Sequence, residues 1–179
     1  MAVIDRIRGI VTEPAHEWSS IAAEPATAMS VYTGWILMLA AIGPVAMLFG
    51  YSELGVSWAL RVAVSAYVTA LVVPAVLALI VDVIAPSFGG ERDYVASLKL
   101  VAYSCTVVWL AGILHLLGAF AQLVMWVVAV YALYTFFLGA PVLRKCSADK
   151  AIPFTLIVVL CAIALFVVAG YAMGARRPF

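Results

Sequence analysis

The run LRVAVSAYVTALVVPAVLALIVDVIAPSFGGERDYVASLKLVAYSCTV, residues 60–107, decides the fold. Its first half reads as an apolar helix over residues 60–85, with Arg61 at one end and Asp82 near the other. The 20 residues between those charges carry none, and as helix they extend about 30 Å, the hydrocarbon thickness of a bilayer. Pro86 interrupts the pattern, and Ser87-Phe88-Gly89-Gly90-Glu91-Arg92-Asp93-Tyr94 follows as a polar turn. A second apolar helix begins near Ala96. Two spans joined by a charged turn describe a membrane protein.

Composition agrees. Hydrophobic residues are 67% of the chain and charged residues 11%, against roughly 45–50% and 25% in soluble domains. A mean hydropathy of +1.17 over 179 residues is more apolar surface than a soluble core hides. The net charge of +1 leaves no electrostatic footprint for nucleic acid. Cys105, Cys146 and Cys161 share no metal-like spacing, so they read as free thiols, two in spans and one in a loop. No cofactor is expected.

Outward from the central stretch, the first 28 residues carry Asp5, Arg6, Arg8, Glu13, Glu17 and Glu24, which is not the pattern of a secretory signal. Val3, Ile4, Ile7, Ile10 and Val11 recur at helical spacing opposite Asp5, Arg6 and Arg8. Pro14 suits the first turn of a second short helix bearing Trp18 and Ile21. The expectation is a cytoplasmic amphipathic head lying on the membrane surface, with Trp18 at headgroup depth. Span 1 is expected over residues 31–49, bent by Gly43-Pro44. Span 2 carries Ala66, Ala70, Pro74, Ala78 and Asp82 four apart, a small-residue side that should face protein.

Leu100–Leu143 holds 44 uncharged residues, about 66 Å of helix, which one bilayer cannot contain. The chain must fold back near His115, Gly118 and Gln122, giving span 3 over residues 96–116 and span 4 over 119–138. Gly139-Ala140-Pro141 should end span 4, and a basic loop with Arg144, Lys145, Asp149 and Lys150 follows. Span 5 occupies residues 152–173, with Gly170 and Gly174 as a single GxxxG. The fold class is therefore an all-α bundle of five spans behind an interfacial head. With the N-terminus inside, seven basic residues (Arg6, Arg8, Arg92, Lys99, Arg144, Lys145, Lys150) lie inside and three (Arg61, Arg176, Arg177) outside. That bias sets the N-terminus in the cytoplasm and the C-terminus opposite.

An acidic residue near a span end is costly without water or a partner, which makes Asp82 the leading candidate for function. It reads either as a proton or cation site, or as half of an ion pair with Lys99, Arg92 or Arg144. Glu91, Arg92, Asp93, Lys99, Arg144 and Lys145 gather at the same cytoplasmic end, while Arg61 and His115 are secondary candidates opposite. The Gly-Gly turn lacks the Lys-Ser/Thr ending of a phosphate loop. Tyr131 and Tyr134, three apart, suit packing or hydrogen bonding between spans. Catalytic and metal signatures are missing from the sequence, so the chain is read as a non-enzyme.

The ordered motifs resemble a known family. A short head with Pro14 and Trp18 precedes Ile42-Gly43-Pro44, then Ala85-Pro86-Ser87-Phe88-Gly89-Gly90, Ala102-Tyr103-Ser104, Tyr131-Ala132-Leu133-Tyr134 and Leu138-Gly139. Together they resemble the Yip1 family of five-span membrane proteins, in its compact prokaryotic form, over nearly the whole chain. The resemblance implies a cell inner-membrane location if the source is prokaryotic. Eukaryotic members bind small GTPases and one another in membrane traffic. They use a longer cytosolic head, so GTPase binding is not carried over. Family members often have a proline after the Tyr-Ser stretch of span 3; Val107 and Val108 stand there instead. The leading functional expectation is a scaffold, adaptor or partner subunit, in contact with the bilayer and with other membrane proteins or itself. The alternative is a small transporter or channel with Asp82 and Arg61 on its path. An enzyme acting on lipid is a third reading that no motif supports.

Overall fold

In hydrocarbon no water satisfies a free N–H or C=O, so long apolar segments close their hydrogen bonds internally as helices. The computed structural model describes residues 3–117 and 120–174, and these are helices joined by short turns. Two head helices come first, α1 (Val3–Thr12) and α2 (Pro14–Ala23). Five segments are long and apolar enough to cross a bilayer: span 1 (Ala28–Gly50), span 2 (Val56–Phe88), span 3 (Tyr94–Leu117), span 4 (Leu123–Arg144) and span 5 (Ala151–Tyr171). The protein is thus a multi-pass membrane protein. The expected fold-back between spans 3 and 4 centres on Gly118 and Ala119, and Arg176 and Arg177 follow span 5; these residues lie outside the described ones.

Span 2 shows why its sequence reads as it does. Val64, Val68, Val72, Val76, Leu79 and Val83 make an exposed stripe for lipid. On the other side Pro74 and Ala78 are buried, and Ala66 and Ala70 half-buried, as the small-residue spacing predicts. Span 1 is interrupted rather than merely bent. Pro44 has no N–H to offer the carbonyl of Ala40, and the helix breaks at Ala40–Ala41 before restarting at Ile42. That bend brings Gly43 against Gly112, where a Cβ on Gly112 would lie 2.6 Å from the Gly43 Cα. Span 3 breaks at Cys105 without a proline. Nearby, the Thr106 hydroxyl donates back to Ala102 O at 3.4 Å and accepts from Trp35 Nε1 at 3.1 Å. Such back-bonding by a hydroxyl bends helices.

One expectation changes. Span 4 does not stop at Leu138; its helix continues through Pro141 to Arg144. Arg144 therefore belongs to the end of the helix rather than to the loop. The GxxxG of span 5 makes no internal contact at Gly170, where an added Cβ would meet nothing within 4 Å. Span 5 packs through its first half, with Phe154, Thr155 and Val158 buried, while Ile163, Phe166, Val167 and Tyr171 are exposed.

Packing on span 2 is tested by size. Leu in place of Ala78, whose side chain is fully buried, should overpack the bundle and destabilise it by about 1–3 kcal/mol. Ile80→Leu should change little. Thermal unfolding in detergent separates them, and equal tolerance would show that the protein-facing side is wrongly assigned.

Candidate functional site

The charged end of the bundle is built from the turn between spans 2 and 3 and the end of span 4. Gly89 takes a left-handed φ of +81°, which closes the helix after Phe88. Gly90 then passes so close to span 4 that a Cβ would sit 2.4 Å from the Arg144 carbonyl. Asp93 starts span 3 as its N-cap, its Oδ1 accepting from Ala96 N–H at 3.0 Å. Its own N–H donates to Asp82 Oδ1 at 2.6 Å.

Into this turn reaches Arg144, only 1% exposed. Its Nη1 donates to Asp93 O at 2.7 Å, and its Nη2 to Glu91 O and to Asp82 Oδ1, the last at 3.3 Å. So Asp82 pairs with Arg144 of the three cations that the sequence offers. Lys99 and Arg92 go elsewhere. Lys145 Nζ meets Glu91 Oε2 at 2.9 Å in an exposed pair, and surface pairs of this kind contribute little. Arg92, Asp149 and Lys150 are exposed, as is Arg61 on span 2. At the opposite end, His115 Nδ1 lies 2.8 Å from Gly112 O and its ring stands edge-on to Tyr51. Cys146, beside Arg144, is a free thiol; burial pushes its pKa up and the guanidinium opposes that rise.

A second charged cluster lies under the head. Arg6, 3% exposed, pairs with Glu17 and Glu24. Lys99 Nζ donates to the Ile21 carbonyl at 2.8 Å and to the Glu24 carbonyl. Trp18 fills the space over Gly139, where a Cβ would be 2.5 Å from its ring, and its Nε1 donates to Thr135 O at 2.9 Å. Tyr131 donates to Val11 O at 2.8 Å. The head is therefore seated on spans 3 and 4, and Trp18, expected among headgroups, is covered by protein to 1% exposure. Val3, Ile4 and Val11 remain exposed while Arg6 and Ile10 turn inward.

Arg6, Glu17, Trp18 and Glu24 carry this second cluster, and none of them is among the sequence candidates. A signal exists: Gly139 inside a helix marks a close approach, and Trp18 is the bulky neighbour that needs one. Among the described residues no group of three or more His, Cys, Asp or Glu is placed to hold a metal ion.

Removing the guanidinium tests the first cluster. Arg144→Met leaves Asp82 without its cation and two carbonyls without their donor, and should destabilise the protein by about 3–5 kcal/mol. Asp82→Asn keeps an acceptor for the Asp93 N–H and should cost about 1–3 kcal/mol. Melting temperatures of the two variants in detergent check the order, and Arg144→Met as stable as the parent would refute a bracing role.

The family model for the Yip1 domain matches residues 8–169. No curated protein and no solved structure matches the chain. The match runs from α1 to the last turns of span 5 and takes in the first charged cluster whole and the second apart from Arg6, and on that coverage the chain belongs to the Yip1 family of membrane proteins.

Proposed function

We propose that the protein is a non-catalytic scaffold, adaptor or partner subunit whose working face is the charged end of the bundle, on the cytoplasmic side. One observation carries the reading. Asp82 and Arg144 are engaged with each other and with the turn backbone, whereas Glu91, Arg92, Lys145, Asp149 and Lys150 project outward around them. Braced turns with exposed charges of both signs suit a partner of complementary potential. A conduction path through Asp82 is less well supported, because its carboxylate already holds Arg144 and the Asp93 N–H. The two cavities described lie against other residues.

Orientation is tested by cysteine accessibility in a background without native cysteines. Ser147→Cys and Ser57→Cys, both at exposed positions, should label from opposite sides of the membrane, Ser147→Cys from the cytoplasm. The reverse order would place the charged end outside.

The working face is tested by combining Arg92→Gln with Lys145→Gln, which leaves the Asp82–Arg144 brace intact. Proteins co-purifying with the parent in gentle detergent should be lost, with unchanged expression and melting temperature. Their retention would remove this face as the docking site.

A further inference from the structure

Between the head and the bundle lies a cavity of about 170 Å³, against the ~15 Å³ that a single water needs. Its walls are Arg6 of α1, Glu24 after α2, Ser30, Gly34 and Trp35 of span 1, and Tyr103 of span 3. Glu24, Ser30 and Gly34 are exposed and Arg6 and Trp35 buried, so the cavity has an open rim and a closed floor. We propose that it binds a phosphate–amine zwitterion, the chemistry of an aminophospholipid headgroup.

Charge selects the ligand class. Arg6 and Glu24 are the charged side chains on the cavity wall, one of each sign and paired with each other, so the wall is neutral before anything binds. A bare anion would leave uncompensated charge in a semi-buried site, which is costly. A zwitterion adds none. Arg6 is the phosphate-facing group, since a planar guanidinium presents paired donors to phosphate oxygens. Its pairing with Glu17 is fixed inside the protein, with side-chain exposures of 4% and 7%. Glu24 differs: its side chain is 46% exposed, which leaves it free to turn from Arg6 toward an ammonium as phosphate takes its place.

Shape points the same way. Gly34 lies in a π-helical turn, Tyr32–Ile36, and π-turns recur at functional sites. A Cβ at Gly34 would meet nothing within 4 Å, so the missing side chain is what keeps this wall open. Trp35 packs against Tyr103 with ring centroids 4.8 Å apart and ring planes tilted by 53°, and closes the floor. The rim residues Glu24 and Ser30 flank the first residue of span 1, Ala28, and span ends are where headgroups meet a bundle. Val3 lines the cavity and is 37% exposed, and its chain neighbour Ile4 is 77% exposed, which offers apolar surface for acyl chains.

The test uses the full chain in detergent micelles with a short-chain phosphatidylethanolamine that carries a fluorophore on one acyl chain. Unlabelled phosphatidylethanolamine should displace this probe at least about tenfold better than phosphatidylglycerol, a difference of about 1.4 kcal/mol. Gly34→Leu fills the cavity from an open wall and should abolish probe binding without moving the melting temperature. Glu24→Gln should erase the preference for the amine while phosphatidylglycerol still competes. Displacement by soluble phosphoethanolamine at concentrations similar to the lipid assigns the site to the free zwitterion; displacement by lipid alone assigns it to the headgroup. Equal competition by the two lipids in the parent chain overturns the proposal, as does full binding by a folded Gly34→Leu variant. Should Gly34→Leu fail to fold, Glu24→Gln decides: loss of the preference upholds the site and its persistence refutes it.

Discussion

A guanidinium inside a membrane bundle destabilises the fold unless its charge and most of its donors are answered. Arg144 draws the partners of both its Nη groups from two distant segments, the Asp82 carboxylate and the backbone carbonyls of Glu91 and Asp93, and only its Nε is left without one. The turn conforms to it. Gly89 supplies the left-handed residue, Gly90 lets the turn backbone pass under the end of span 4, and Asp93 both caps span 3 and donates to Asp82. The relative positions of spans 2, 3 and 4 at this end follow from one side chain. Small residues then set how closely the helices lie elsewhere, at Gly43 and Gly112 and along Ala78.

Much of the fold is legible because lipid imposes simple requirements. Uncharged runs of the right length are spans, and Gly, Pro and charged clusters mark the turns between them. That Asp82 needs a cation also follows from its place near a span end. Which cation does not follow. Arg144 reaches Asp82 only because the helix runs on through Pro141, and Gly139-Ala140-Pro141 reads as a stop. Gly139 has a different purpose: it makes room for Trp18.

The head is where sequence reasoning falls short, for a definable reason. A helix with apolar residues on one side and Arg6 on another is assumed to turn the arginine to water. That rule fails when a second short helix brings acids to the same place. Glu17 and Glu24 answer Arg6, so the charge goes inward and Ile4 outward. The pairing joins residues on separate elements, and periodicity within one helix carries no record of it. The Lys99 contacts with the Ile21 and Glu24 carbonyls bridge 78 and 75 residues and are equally invisible in local pattern.

The seat of Trp18 has a consequence for the order of assembly. Its hydrogen bond to Thr135 joins residues 117 apart in the chain, and the wall that it fills is made by Gly139. The head is synthesised first, but the surface that holds it does not exist until span 4 has been made and inserted. Through the insertion of spans 1 to 3, Trp18 and the Arg6 cluster therefore lack their native cover. An exposed indole and unburied apolar surface are what chaperones recognise and what aggregates when left alone. Closure of the head over the bundle is thus a late step, and it marks a molecule in which at least four spans are in place.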